Sequence, residues 1–164
     1  MLGEEYLRRA IIEYEKKFYN ASLALTEILV TGGGQSAIFA TLQAILSPDD
    51  NIIVTFPSYP SYINAFLYNR ANVVPIPTKV EDNFDISIQR LKEILEQKPI
   101  KALLLISPGN PTGAIIPKKT LNEIARLAEK HNFLIISDEI YRNILFDNQL
   151  LLPFHPFRKL LTEQ

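Results

Sequence analysis

Residues 101–113 read Lys101-Ala-Leu-Leu-Leu-Ile-Ser107 followed by Pro108-Gly-Asn-Pro-Thr-Gly113. The first run is continuously apolar, which is typical of a strand buried on both faces of a parallel sheet. The second run interrupts it with prolines and glycines, the residues that punctuate turns and loops. We therefore predict a central strand that ends in a stiff loop.

Working outward from this strand, apolar runs alternate with patterns of helical periodicity. Strands are predicted at 27–31, 51–55, 73–76, 101–107 and 133–137, and helices at 4–19, 35–46, 61–70, about 85–97 and from about 120. Pro75 places the third run at a sheet edge, because proline cannot donate to a central ladder. Thr120 and Glu123 have the spacing of a capping box. This order predicts an α/β domain, a mostly parallel sheet flanked by helices in three layers.

Composition excludes several classes of function. The 164 residues suit one domain, and 17 basic against 18 acidic side chains argue against a nucleic-acid partner. The absence of cysteine excludes disulfides, thiolate metal sites and cysteine nucleophiles, and His131 and His155 lack metal-site spacing. No apolar stretch is long enough to span a bilayer, and residues 1–5 do not resemble a signal peptide. We expect a cytoplasmic protein.

Four of the apolar runs end in unusual polar or glycine-rich stretches. These stretches are residues 32–35, 56–59, 108–113 and 138–141. If the strands are parallel, all four gather at one rim of the sheet, where open α/β sheets bind their ligands.

Gly32, Gly33 and Gly34 precede a predicted helix. Backbone N–H groups at a helix start suit a phosphate, and the alternative is a tight strand-to-helix turn. A P-loop is excluded, since no Gly-Lys-Ser/Thr follows, and Ala37 breaks the dinucleotide pattern.

Four side chains at the other stretches suit a planar ligand. Tyr59 could stack on a heteroaromatic ring, and Asn110 and Tyr141 could bond a phenolate-type oxygen. Asp138 ends an apolar strand, where a carboxylate needs a partner such as a protonated ring nitrogen. The alternatives are ordinary packing for Tyr59, a turn residue for Asn110, and a helix cap or an ion pair for Asp138. Taken together, the stretches describe a site for a planar, phosphorylated cofactor with a protonated ring.

The same stretches carry a family resemblance. Residues 30–38, 57–62, 107–113 and 137–141 resemble the class I/II aminotransferases of fold type I, in which Asn-Pro-Thr-Gly and Ser-Asp-Glu-Ile-Tyr at this separation are specific. The similarity runs from about residue 3 to about residue 148. It implies a PLP-dependent transferase-like large domain, incomplete, with pyridoxal 5'-phosphate as cofactor.

The resemblance implies roles for matching positions. Gly34 and Gln35 would give backbone N–H groups to the cofactor phosphate, and Tyr59 would stack on the pyridine ring. Asn110 and Tyr141 would bond the phenolic oxygen.

Asp138, by the same resemblance, would pair with the pyridinium nitrogen. Tyr141 favours aminotransferases over the related carbon–sulfur lyases, which often have histidine there. Aminocyclopropane-carboxylate synthases share most of these motifs and stay open as an alternative.

Other family features have no match in this sequence. The Schiff-base lysine is unmatched, Lys159 has the wrong context, and no catalytic residue is assigned. The arginine for the substrate carboxylate, a basic phosphate ligand and an N-terminal segment are also unmatched. We therefore predict a partial large domain over residues 1–149, a divergent tail over 150–164, and an inactive isolated chain.

The resemblance also implies partners. Amino acid and 2-oxo acid substrates and a homodimer are expected of full-length family members. Two other hypotheses remain: a non-catalytic remnant that binds pyridoxal phosphate or a partner chain, and a nucleotide-binding α/β domain that uses Gly32 to Gly34.

Overall fold

The computed structural model of this chain describes residues 2–146, which divide between two compact units at residues 41 and 42. The helices are α1 (Glu5–Tyr19), α2 (Gly34–Ile45), α3 (Pro60–Tyr68), α4 (Ile88–Gln97) and α5 (Lys118–His131). The strands are β1 (Asn51–Phe56), β2 (Asn72–Pro77), β3 (Ala102–Ile106) and β4 (Leu134–Asp138). Short 3-10 turns cover Leu25–Glu27 and Val80–Asp82.

The first unit contains α1 and the beginning of α2. α1 is capped at its end by Asn20, which adopts a left-handed conformation, with φ of 54°, and donates its backbone N–H to the carbonyl of Lys16. The predicted strand at 27–31 is wrong. Ile28 donates to Leu25 and Val30 donates to Leu2, so the segment bonds to a turn and to the chain start rather than to a neighbouring strand.

The second unit is built on a four-stranded sheet. Its order is β2-β1-β3-β4, and every neighbouring pair is parallel. The predicted parallel α/β architecture is confirmed. β2 lies at an edge, as the position of Pro75 predicted.

The core of the second unit lies around β3, whose five residues are all buried. α4 and α5 contribute their apolar faces to the same cluster, through Leu91, Ile94, Leu121 and Ile124. Complete burial of an apolar side chain of this size contributes roughly 1.5–3 kcal/mol. β4 is more open than its apolar sequence predicted, since Leu134 is 47% exposed at the other edge of the described sheet.

Two predicted helix starts had different outcomes. α4 begins within the predicted range and is capped by Ser87, whose hydroxyl accepts from the backbone N–H of Arg90 at 3.2 Å. The capping box at Thr120 is wrong. α5 begins two residues earlier, after Pro117, and the buried hydroxyl of Thr120 donates to Asp85 Oδ2 at 2.9 Å.

None of the helices within residues 2–146 has the length and apolar character needed to cross a membrane. The predicted boundary at residues 149 and 150, the tail that follows it, His155 and Lys159 lie outside the described residues.

Candidate functional site

The carboxyl ends of β1, β3 and β4 share one edge of the sheet, because these strands are parallel. Three of the four predicted stretches follow these ends, and the stretches after β3 and β4 contact each other. Ser107 donates its backbone N–H to the carbonyl of Asp138 at 3.1 Å, and the side chains of Asn110 and Tyr141 meet at 3.4 Å. Residues distant in sequence therefore form one rim.

The loop that carries Asn110 is closed by its own hydrogen bonds. Gly109 donates to the carbonyl of Ala114 at 2.8 Å, and Gly113 donates back to Gly109 at 2.8 Å. A Cβ at Gly109 would lie 2.5 Å from Thr112 Oγ1, so a larger residue here would require the Thr112 side chain to move. This closure fixes the backbone on both sides of Asn110.

The base of the loop is tied to β3. The backbone N–H of Ile116 donates to Ser107 Oγ at 3.1 Å, and Ser107 is buried. The loop is therefore anchored at the end of the most buried strand, which limits the movement of Asn110.

Asn110 and Tyr141 present two polar groups side by side. Asn110 Nδ2 donates to the hydroxyl of Tyr141 at 3.4 Å, a long hydrogen bond. An amide carries two N–H donors and a phenol carries one O–H donor, so the pair can also donate to a ligand oxygen placed beside it.

An open pocket adjoins this pair. Its volume is about 370 Å³, and it is lined by Asn110 and Tyr141 together with apolar side chains that include Ile115, Ile144 and Phe146. A few polar groups on an apolar wall are the usual composition of a small-molecule site.

Asp138 holds its carboxylate at the end of β4 through two separate contacts. Oδ1 accepts from the backbone N–H of Ile140 at 3.1 Å, and Oδ2 accepts from the hydroxyl of Tyr62. The local backbone contact closes a turn after β4, whereas the sequence alternatives for Asp138 were a helix cap or an ion pair. The second contact, with a tyrosine, was not predicted.

Glu139 faces a different set of partners from its neighbour Asp138. It accepts from Ser137 Oγ at 2.8 Å and lies 3.7 Å from the guanidinium of Arg142. Both contacts lie within four residues of sequence, so they stabilise the local turn after β4.

Tyr62 is the site residue that sequence reasoning missed. Its side chain is 7% exposed, in the first turn of α3. Burial raises the pKa of its phenol, and the hydrogen bond to Asp138 raises that pKa further. The sequence did contain a signal, because Tyr59 and Tyr62 are three residues apart at a helix start marked by Pro60.

Tyr59 lies immediately before α3 and contacts Tyr62. Their ring centroids are 5.5 Å apart and the planes meet at 80°, an edge-to-face arrangement. Tyr62 thus links Tyr59, the predicted stacking residue, to Asp138, the predicted partner of a ring nitrogen.

Gly34 and Gln35 belong to the first unit, where α2 begins at Gly34. Gly33, just before it, has φ of 149°, a conformation that side chains rarely adopt, and its carbonyl accepts from the Thr31 hydroxyl at 2.9 Å. The helix start expected for a phosphate contact is therefore present, and the contact itself stays a prediction.

Over the range 2–146, no group of three or more His, Cys, Asp or Glu side chains is arranged to hold a metal ion. The rim side chains that suit a planar ligand are the carboxylate of Asp138, the amide of Asn110 and the phenols of Tyr59, Tyr62 and Tyr141.

A family model described as aminotransferase class I and II matches residues 2–161 of this chain. Two curated relatives illustrate the similarity. The aspartate/prephenate aminotransferase of Thermus thermophilus is 37% identical over 92% of this chain and 39% of the relative. An arginine–pyruvate transaminase of Pseudomonas aeruginosa is 32% identical over 92% of this chain and 38% of the relative.

Solved structures agree with the sequence relatives. An aspartate aminotransferase variant from Thermus thermophilus gives a TM-score of 0.86 at 37% identity, covering 92% of this chain and 39% of that one. An aromatic aminotransferase from Pyrococcus horikoshii gives 0.88 at 33% identity, covering 94% and 41%. The chain thus spans about two fifths of the length of the relatives it matches.

Proposed function

Because this chain belongs to the aminotransferase class I and II family, we propose that its rim binds the ring of pyridoxal 5'-phosphate and serves the transfer of an amino group between an amino acid and a 2-oxo acid. The observation that carries the proposal is the convergence of Asp138, Asn110 and Tyr141 at adjoining strand ends. The sequence relatives and structures described above are aminotransferases or transaminases, which supports this activity over that of a lyase.

The residues present fit the chemistry of this cofactor. Its ring needs a carboxylate at the nitrogen, hydrogen-bond donors at the phenolic oxygen and an aromatic surface against one face. Asp138 offers the carboxylate, the paired Asn110 and Tyr141 offer the donors, and Tyr59 offers the surface. When bound, pyridoxal phosphate supplies an electron-accepting ring that withdraws electrons from the substrate α-carbon.

Each residue then has a definite task. The carboxylate of Asp138 holds a proton on the ring nitrogen, because an adjacent negative charge favours the protonated, positive form of that nitrogen. Asn110 and Tyr141 orient the ring by donating to its phenolic oxygen, and Tyr59 excludes water from one face.

The phosphate contact proposed for Gly34 and Gln35 rests on the family resemblance and on the start of α2. The N-terminus of a helix carries partial positive charge, so it suits an anion.

A polypeptide of residues 1–164 is expected to show no transamination. No residue of the sequence matches the family lysine that would carry out proton transfer, and none of the residues proposed above replaces it. A transamination assay with purified protein and a panel of amino acids tests this, and detectable turnover would contradict it. The substrates, a homodimeric state and a cytoplasmic location stay predictions.

Cofactor binding is testable without catalysis. Pyridoxamine 5'-phosphate is a suitable probe, since it lacks the aldehyde that would react with surface lysines. We expect calorimetric titration to show binding by the 164-residue chain, and Asp138→Ala to weaken it by about tenfold or more.

Glu96→Gln provides a matched control. Glu96 is exposed near the end of α4, which leads to the amino end of β3, opposite the rim, and its substitution also removes one carboxylate. Its affinity is expected to equal that of the parent chain. Equal affinities of the parent and Asp138→Ala would refute the proposed site.

A further inference from the structure

Tyr62 connects two of the proposed cofactor contacts. Its hydroxyl donates to Asp138, and its ring meets the ring of Tyr59 edge to face. We propose that Tyr62 is a positioning residue for the cofactor ring, which fixes the Asp138 carboxylate through its hydroxyl and supports Tyr59 through its ring. This inference rests on the proposed function.

The hydroxyl contact completes the orientation of Asp138. The Ile140 N–H holds Oδ1, and it belongs to the same short turn as Asp138. Tyr62 holds Oδ2 from α3, an element 76 residues away in sequence. With only the local contact, the carboxylate could rotate about its side-chain bonds, whereas two contacts on different oxygens define its plane.

The state of the Tyr62 phenol suits this role. Burial and the neighbouring carboxylate both raise its pKa, so the phenol keeps its proton under ordinary conditions. It therefore donates a hydrogen bond to Asp138 throughout the range in which the protein would work.

The ring contact acts on the second cofactor surface. The edge of one tyrosine ring against the face of the other, at 5.5 Å between centroids, restricts the tilt of Tyr59. Tyr62→Phe keeps the aromatic ring and removes only the hydroxyl, whereas Tyr62→Leu removes both interactions. The pair of variants separates the two parts of the role.

The test is a double-mutant cycle on the affinity for pyridoxamine 5'-phosphate, measured with the full 164-residue chain. Tyr62→Phe is expected to weaken binding by about three- to tenfold, the range that corresponds to losing one hydrogen bond of ordinary net strength. In the Asp138→Ala background the same substitution is expected to change affinity by less than about twofold, because its target is already gone.

A spectroscopic readout distinguishes positioning from general stability. The induced circular dichroism of the bound ligand reports how its ring is held, and it is recorded at saturating ligand. We expect a smaller signal for Tyr62→Phe, a still smaller one for Tyr62→Leu, and a parental signal for Tyr68→Phe. Tyr68 lies on the same helix and is 69% exposed. Far-ultraviolet circular dichroism verifies that each variant is folded.

The outcomes separate this inference from the proposed function. If the parent chain does not bind the probe, or Asp138→Ala binds it equally well, the proposed function and the role of Tyr62 are both refuted. If Asp138→Ala weakens binding but Tyr62→Phe leaves both affinity and the induced signal at parental values, only the role of Tyr62 is refuted. An equal loss of affinity from Tyr62→Phe in both backgrounds also refutes it, since Tyr62 would then not act through Asp138.

Discussion

At the scale of single residues, Gly113 shows how the loop around Asn110 depends on backbone conformation. Its φ of 69° lies in the left-handed region, and a Cβ there would meet no atom within 4 Å. The cost of a side chain is therefore backbone strain rather than a clash. We expect Gly113→Ala to lower the free energy of unfolding by about 1 kcal/mol and Gly113→Asn to lower it by less, since asparagine tolerates this conformation.

Urea unfolding of the parent and both Gly113 variants measures the difference. If alanine and asparagine are equally destabilising, strain at this residue is not the cause. If neither is destabilising, the loop does not require the left-handed conformation.

The phenol of Tyr62 predicts a dependence of stability on alkaline pH. Its pKa is raised in the folded chain, mainly by burial and then by Asp138. A group shifted in this direction contributes stability that is fully present below its unfolded pKa, about 10 for tyrosine, and is lost as the pH rises above that value. The free energy of unfolding should therefore fall less in Tyr62→Phe than in the parent between about pH 8 and about pH 11.

Urea titrations at the two pH values provide this comparison. Tyr68→Phe is the control, and it should lose as much stability as the parent. An identical loss in the parent and in Tyr62→Phe would contradict the buried, proton-donating state of Tyr62.

The sequence could predict individual residues where a strand end alone determines their place. Asn110, Asp138 and Tyr141 follow apolar runs directly, so parallel strands bring them to one rim. Tyr62 could not be assigned in this way, because its role comes from a carboxylate 76 residues further along the chain. Only the folded chain shows that contact.

At the scale of elements, Ser87 gives a local test of how α4 begins. Its side chain accepts from the third residue along, which satisfies one N–H that the helix cannot pair internally. Ser87→Ala should lower the free energy of unfolding by about 1 kcal/mol, and Ser87→Asp should retain the parental value within a few tenths of that.

Thermal or urea unfolding of the two Ser87 variants distinguishes capping from other effects of substitution. If alanine and aspartate behave alike, the hydrogen bond to Arg90 does not contribute to stability. A loss in both variants would show that serine is needed for another reason.

Helices and strands were predictable where hydrophobic periodicity and turn residues indicate the same bounds. They were less predictable where contacts with distant residues determine the local structure. Residues 27–31 have a β-like composition, but their backbone bonds run to Leu25 and Leu2, and no ladder forms. Thr120 has the spacing of a cap, but its hydroxyl bonds Asp85 from another part of the chain. In both cases the deciding partner is absent from the local sequence.

At the scale of the whole molecule, the parallel order β2-β1-β3-β4 explains why the site is built from separated stretches. The continuous apolar run of β3 and the proline in β2 predict which strand is central and which lies at an edge. Burial was less predictable for β4, because its sequence is apolar while Leu134 is 47% exposed. The sequence shows whether a strand is apolar, whereas its burial depends on the elements that pack against it.

The central claim is that Asp138 pairs with the ring nitrogen of a pyridoxal-type cofactor. It is tested most directly by ¹⁵N NMR of pyridoxamine 5'-phosphate labelled at that nitrogen, titrated with pH in the presence of the chain. We expect the bound ring to stay protonated to higher pH than the free ligand, and Asp138→Ala to abolish the difference. A bound nitrogen that loses its proton at the same pH as the free ligand would show that Asp138 does not pair with it.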